Sequence, residues 1–193
     1  MAKAELKNIF LSASIPLPER DPKYFETADV IAIRDSVTAL ASTVLPQYRL
    51  IWGGHPSITP IINYVIQRRG LQVQDRVTIY QSKFFEHRFP PDNNEFKNVH
   101  LVESTGDRES SLLEMRRVMF SSHHFYAAIF IGGMEGVERE YELFREFHPK
   151  ARILPIASTG AAAKLVYSVV NVKEKRFETD YAYSSLFKDF LLQ

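Results

Sequence analysis

Two charged residues stand where helices ordinarily carry apolar side chains. In the stretch after Asp107, Leu112, Met115, Met119 and Phe120 recur at helical spacing, and Arg116 falls inside their face. In the stretch after Gly136, Val137, Tyr141 and Phe144 mark the apolar face, and Glu140 lies inside it. Arg and Glu are rarely buried unpaired, because desolvating a lone charge costs roughly several kcal/mol. If the two helices face one cleft, the guanidinium and the carboxylate pair there. A structural salt bridge, two side chains snorkelling at a helix edge and a polar pair facing a ligand all meet that requirement.

A second group of candidates consists of small and hydroxyl residues that follow apolar runs: Ser12-Ala13-Ser14, Gly53-Gly54-His55, Ser104-Thr105-Gly106, Gly132-Gly133-Met134-Glu135-Gly136 and Ala157-Ser158-Thr159-Gly160. Seven of the eight glycines lie in or beside these stretches. Glycine lets a backbone approach a ligand closely, and hydroxyls with helix N-terminal N–H groups bind anions such as phosphate. Turns and caps alone would explain any one of them. Five on one edge point to a phosphate- or nucleotide-binding rim. Its candidate contacts are Ser12, Ala13, Ser14, Gly53, Gly54, His55, Thr105, Gly132, Gly133, Met134, Glu135, Gly136, Ser158, Thr159 and Gly160.

Other chemistries find no pattern. The six histidines show no metal-ligand spacing, and without cysteine there is no disulfide, thiolate metal site or Cys nucleophile. No metal and no resident cofactor are expected. The Gly132-Gly133 run does not have GxGxxG spacing, and no GxxxxGK[ST] is present. Trp52, just before Gly53, reads as core or as a stacking surface for a base.

The elements that must position these residues alternate along the chain. Strands are expected at Asn8–Leu11, Arg49–Trp52, Arg76–Tyr80, Val99–Val102, Tyr126–Ile131 and Arg152–Leu154. Helices are expected from about Tyr24 to Val44, after Pro56 at an N1 position, from Asp107 to about Ser122, from Gly136 to Phe147, over Gly160–Val170, and over an aromatic-rich Tyr181–Leu192. Phe84–Asn98, with two prolines and Asp92-Asn93-Asn94, reads as a long surface excursion. Strands alternating with helices mean βαβ units: an α/β, Rossmann-like parallel sheet flanked by helices on both faces. In such a sheet every strand-to-helix loop emerges at one edge, where ligands bind.

Composition narrows the partners. The 193 residues, 45% hydrophobic, suit one domain over 1–193, and a net charge of +1 supplies no basic field for nucleic acid. Ile9-Phe10-Leu11 is too short an apolar patch for a signal peptide or membrane span. A cytoplasmic protein, without membrane or nucleic-acid partners, is expected.

At these loops the chain resembles the SLOG superfamily, named for the SMF/DprA and Lonely Guy proteins, over nearly its whole length. Ile9-Phe10-Leu11-Ser12-Ala13-Ser14 looks like its first strand and ligand loop, and Ile51-Trp52-Gly53-Gly54-His55 like the glycine-rich second one. Ile131-Gly132-Gly133-Met134-Glu135-Gly136-Val137-Glu138-Arg139-Glu140 resembles the PGGxGTxxE signature of Lonely Guy phosphoribohydrolases. Pro155-Ile156-Ala157-Ser158-Thr159-Gly160-Ala161-Ala162 resembles a late motif of the SLOG families of prokaryotic conflict systems, and the group called SLOG cluster 3 is the nearest.

The resemblance implies that Arg116 and Glu140 match the Arg and closing Glu that hydrolyse the N-glycosidic bond of nucleoside monophosphates. With that hydrolase as the alternative, the leading reading it implies is a sensor domain for a nucleotide- or NAD-derived small molecule, in bacterial defence or stress signalling, with homo-oligomerisation and an effector on a separate polypeptide. Ile131 replaces the signature Pro, Met134-Glu135 is one residue longer than the single spacer, Val137 replaces the Thr hydroxyl, and His55-Pro56 stand where the enzymes carry further glycines. These departures favour binding over turnover. A DNA-processing role like that of the DprA relatives ranks third, because it needs a basic surface.

Overall fold

Six apolar runs form one parallel sheet: β1 (Asn8–Ser14), β2 (Arg49–Trp52), β3 (Val77–Ser82), β4 (Val99–Val102), β5 (Phe125–Gly132) and β6 (Arg152–Ile156). The computed structural model describes residues 6–70, 74–171 and 173–192; the remainder of the expected 1–193 span lies outside the described residues. The strand order is β4-β3-β2-β1-β5-β6, every neighbouring pair parallel. The chain therefore grows outward from β1 to β4, then returns to the other side of β1 as β5. That reversal creates a switch point between β1 and β5, where helices leave toward opposite faces and a crevice opens beyond the strand ends.

Strand alternation splits the core in two. Ile9, Leu11, Leu50, Trp52, Val77, Ile79, Ile129 and Ile131 point to one face. There they meet α2 (Val30–Val44), α3 (Thr59–Arg69) and α8 (Tyr183–Leu191). Phe10, Ile51, Tyr80, Ala128 and Phe130 point to the other, against α1 (Pro22–Phe25), α4 (Arg108–Ser121), α5 (Glu135–Phe147) and α6 (Ala161–Val169). Phe10 anchors this second layer, stacked on Phe144 at 5.4 Å and edge-on to Phe120 at 4.9 Å. Truncating such a residue typically costs about 3–5 kcal/mol. The α/β sheet with helices on both faces is as the residue pattern predicts.

Three local expectations are corrected. The single helix from Tyr24 to Val44 is two, α1 and α2, because Asp29 caps α2 through Oδ1, which accepts from the Ala32 amide at 2.9 Å. The break is fixed from outside: the Asp29 amide donates to the Thr159 carbonyl, and Thr27 Oγ1 accepts from the Ala161 amide. Pro56 lies before α3 rather than at its N1 position; the helix begins at Thr59, with Pro60 in its first turn. The expected excursion at Phe84–Asn98 contains two 3₁₀ segments, Lys83–Arg88 and Pro91–Glu95, and buries Asn93 and Phe96. The expected terminal helix over Tyr181–Leu192 forms as α8, and a further short helix, α7 (Arg176–Thr179), precedes it.

Candidate functional site

The last residues of β1 reach the crevice with their side chains on alternating faces. Ser12 and Ser14 share the α4/α5 face with Phe10, while Ala13 packs against the opposite core. Ser12, Ala13 and Ser14, expected in a loop, lie within the strand, paired with Phe130, Ile131 and Gly132 of β5. Gly132 and Gly133 then turn the chain into α5 with φ of 54° and 87°. A side chain at either position would meet Ile33 or Val137, so only glycine serves both the backbone and the space. Their amides are already engaged: Gly132 donates to Thr159 Oγ1 at 2.9 Å and Gly133 to the Ser14 carbonyl at 2.8 Å.

Beneath this turn lies the pair. Arg116 on α4 is 6% exposed, and its Nε donates to Glu140 Oε1 on α5 at 3.1 Å. Ser12 Oγ donates to the other carboxylate oxygen, Oε2, at 2.5 Å. Three elements thus converge on one carboxylate, whose two oxygens each have a donor; this offsets the cost of burying the pair. The terminal nitrogen Nη2 of Arg116 lies under the first turn of α5, where a Cβ on Gly136 would stand 3.3 Å from it. A guanidinium below a helix N-terminus is suited to an anionic group. On the outer side of the same two helices, Arg116 borders a cavity of about 350 Å³, together with Leu113, Arg139 and Glu142.

The second loop closes one wall. The Gly54 carbonyl accepts from Gln81 Nε2 at 3.0 Å. His55 Nδ1 lies 2.9 Å from Ser57 Oγ, which also accepts from the Ile15 amide at 3.2 Å and so ties this loop to the end of β1. The His55 residue is open to solvent, yet desolvation by the surrounding loops, with the Arg20 charge, holds its imidazole below the ordinary histidine range. It is neutral near neutral pH and can accept or donate a hydrogen bond.

The remaining candidates divide. Met134 is buried in the core at the N-cap of α5, and Glu135 pairs with Arg20 and, at 3.9 Å, with Arg108. Ser158 and Thr159 are buried and spend their hydroxyls internally: Ser158 Oγ on the Asp180 carbonyl and Tyr183 Oη, Thr159 Oγ1 on the Ile156 carbonyl. Gly160 packs against the Thr27 carbonyl. These three shape the crevice wall from behind. Thr105 is exposed beyond edge strand β4, its amide held by Ser111 Oγ at 3.0 Å, and the structure does not gather it with Gly132 and Ser12. Arg20, Arg108 and Ser57 escaped sequence reasoning. For the arginines the available signal was position, one in the proline-rich β1–α1 connection and one at the start of α4.

Among the described residues, no cluster of three or more His, Asp or Glu could hold a metal ion, and no helix is long and apolar enough to cross a membrane.

The chain is similar to known proteins in two ways. A family model described as the SLOG cluster3 family matches residues 23–191. The X-ray structure of TM1055, a structural-genomics target, superposes with a TM-score of 0.60 over 89% of each chain at 14% identity, a likeness of fold. No curated protein matches the sequence.

Proposed function

The chain belongs to the SLOG cluster3 family, and on that premise we propose that it is a sensor domain that binds a nucleotide- or NAD-derived small molecule at the β1/β5 crevice. Its occupancy is read by an effector on a separate polypeptide or by its own homo-oligomer, in a cytoplasmic defence or stress-signalling system. The observation that carries the binding reading is the engaged state of Glu140. One oxygen accepts from Arg116 Nε and the other from Ser12 Oγ. Both carboxylate oxygens are thus engaged by the protein's own donors, and a fixed Arg–Glu pair is well suited to orienting a bound sugar phosphate.

The rival reading is a Lonely Guy-like nucleoside 5′-monophosphate phosphoribohydrolase, favoured by the contact of Arg116 with Glu140 itself. In that reaction the carboxylate stabilises the developing oxocarbenium ion or activates water. The experiment that separates the two is incubation of the protein with nucleoside monophosphates and NAD derivatives, followed by chromatography for free base. The sensor reading expects stoichiometric binding and unchanged ligand. Sustained base release that disappears in Glu140→Gln establishes the hydrolase instead.

A further inference from the structure

Glu135, the first residue of α5, gathers two arginines from two other elements. Arg20 comes from the connection between β1 and α1, and its Nη2 bonds Glu135 Oε1. Arg108 opens α4, and its Nη2 stands 3.9 Å from the same oxygen while its Nη1 bonds Glu109 at 2.7 Å. All three side chains are partly open to solvent, at 39%, 45% and 33% for Arg20, Arg108 and Glu135. One residue further into the helix, Gly136 stands over the largely buried Arg116. Three guanidiniums from two segments, the β1–α1 connection and α4, therefore surround one helix turn, and a single carboxylate oxygen serves two of them.

We propose that Glu135 is a built-in competitor for the ligand's phosphate, and that Arg20 and Arg108 are the residues that grip this phosphate once Glu135 yields. The inference rests on the phosphate-binding reading above. A phosphate monoester carries close to two negative charges and three terminal oxygens, so it satisfies two guanidiniums better than one carboxylate oxygen does. Exposed ion pairs contribute little to stability, which makes the exchange inexpensive. The consequence is selectivity. A dianionic terminal phosphate displaces the carboxylate, whereas the singly charged phosphates of a diester linkage compete less well. The adjoining contacts of Tyr24 and Lys23 with Glu138 keep the same segment attached to α5 during the exchange.

The test is calorimetric titration of the wild-type protein, Glu135→Gln and Arg20→Ala with adenosine 5′-monophosphate, ADP-ribose and inorganic phosphate. Wild type is expected to prefer the monophosphate to ADP-ribose. Glu135→Gln should tighten monophosphate binding by about three- to tenfold, and Arg20→Ala should weaken it by at least as much. A wild type that binds, beside a Glu135→Gln variant that binds no better, overturns the competitor and leaves the binding reading standing. A preference for ADP-ribose overturns the selectivity. Failure of all three probes to bind either wild type or Glu135→Gln removes the phosphate-binding reading and this inference with it.

Discussion

Arg116 meets Glu140 side-on, Nε to Oε1 at 3.1 Å, which leaves its Nη2 under Gly136 rather than on the carboxylate. The guanidinium therefore links the ion pair to the first turn of α5. Removing either partner strands a buried charge. Arg116→Ala or Glu140→Ala is expected to cost about 3 kcal/mol, a fall of roughly 6–12 °C in Tm for a chain of this size. The double variant should lose less than the sum, and additive losses in the thermal cycle would show two independent charges.

Gly160 and Gly133 separate architecture from ligand approach. A methyl group at Gly160 would run into the Thr27 backbone carbonyl, and φ there is 70°. Gly160→Ala should destabilise by about 3 kcal/mol or more, by prising α6 from the α1–α2 junction. At Gly133 the obstacle is the Val137 side chain. Measured against Val137→Ala alone, which carries the cost of the lost buried methyl groups, the double change Gly133→Ala with Val137→Ala adds only the backbone strain, about 1–3 kcal/mol. Urea unfolding of the three proteins orders these costs; equal losses would contradict the contacts.

Much of the frame was legible in the residues. Unbroken apolar runs such as Ile9-Phe10-Leu11 and Ala128-Ile129-Phe130 announce buried strands, and Arg116 and Glu140 drew notice as charges within apolar stripes. What escaped depends on remote partners. The break at Thr27–Asp29 is made by Thr159, Gly160 and Ala161, more than a hundred residues away. The burial of Asn93 in a proline-rich excursion depends on Gln81, to which its Nδ2 donates. No local pattern carries that information.

That same Gln81 supports the Gly53-Gly54 wall. Its Nε2 holds the Gly54 carbonyl, and its Oε1 accepts from Asn93. Gln81→Leu leaves both buried groups without their partner, at about 1–3 kcal/mol each. The expected readout is a lower urea midpoint together with faster amide exchange at Gly54 and His55. Unchanged exchange there would show that the loop holds itself.

Acid should loosen the layer around α4 and α5. The His148 imidazole packs against Phe144 and Phe125, 4.9 and 5.1 Å between centroids, and desolvation holds its pKa below the ordinary 6.5. His123, 2.8 Å from Tyr80 Oη, is lowered first by burial and then by the His100 and Arg49 charges. A folded pKa below the unfolded one means stability fully present above about pH 6.5 and lost as pH falls through the folded value. Tm should drop between about pH 7.5 and about pH 5.5, and His148→Gln should flatten that slope. An identical slope in the variant would assign the acid sensitivity to other groups.

Ser12 bears on both functional readings. Its hydroxyl is 1% exposed and donates to Glu140 Oε2. Ser12→Ala leaves that oxygen without its donor, at about 1–3 kcal/mol. A carboxylate that only orients the ligand then holds it less firmly, so affinity for a nucleoside monophosphate should fall while base release stays absent. A carboxylate that activates water gains an oxygen free of its protein donor, so base release should rise. Calorimetry and product chromatography on Ser12→Ala read these outcomes separately. Weaker binding with no free base supports the sensor; newly measurable free base that vanishes in Ser12→Ala with Glu140→Gln supports the hydrolase.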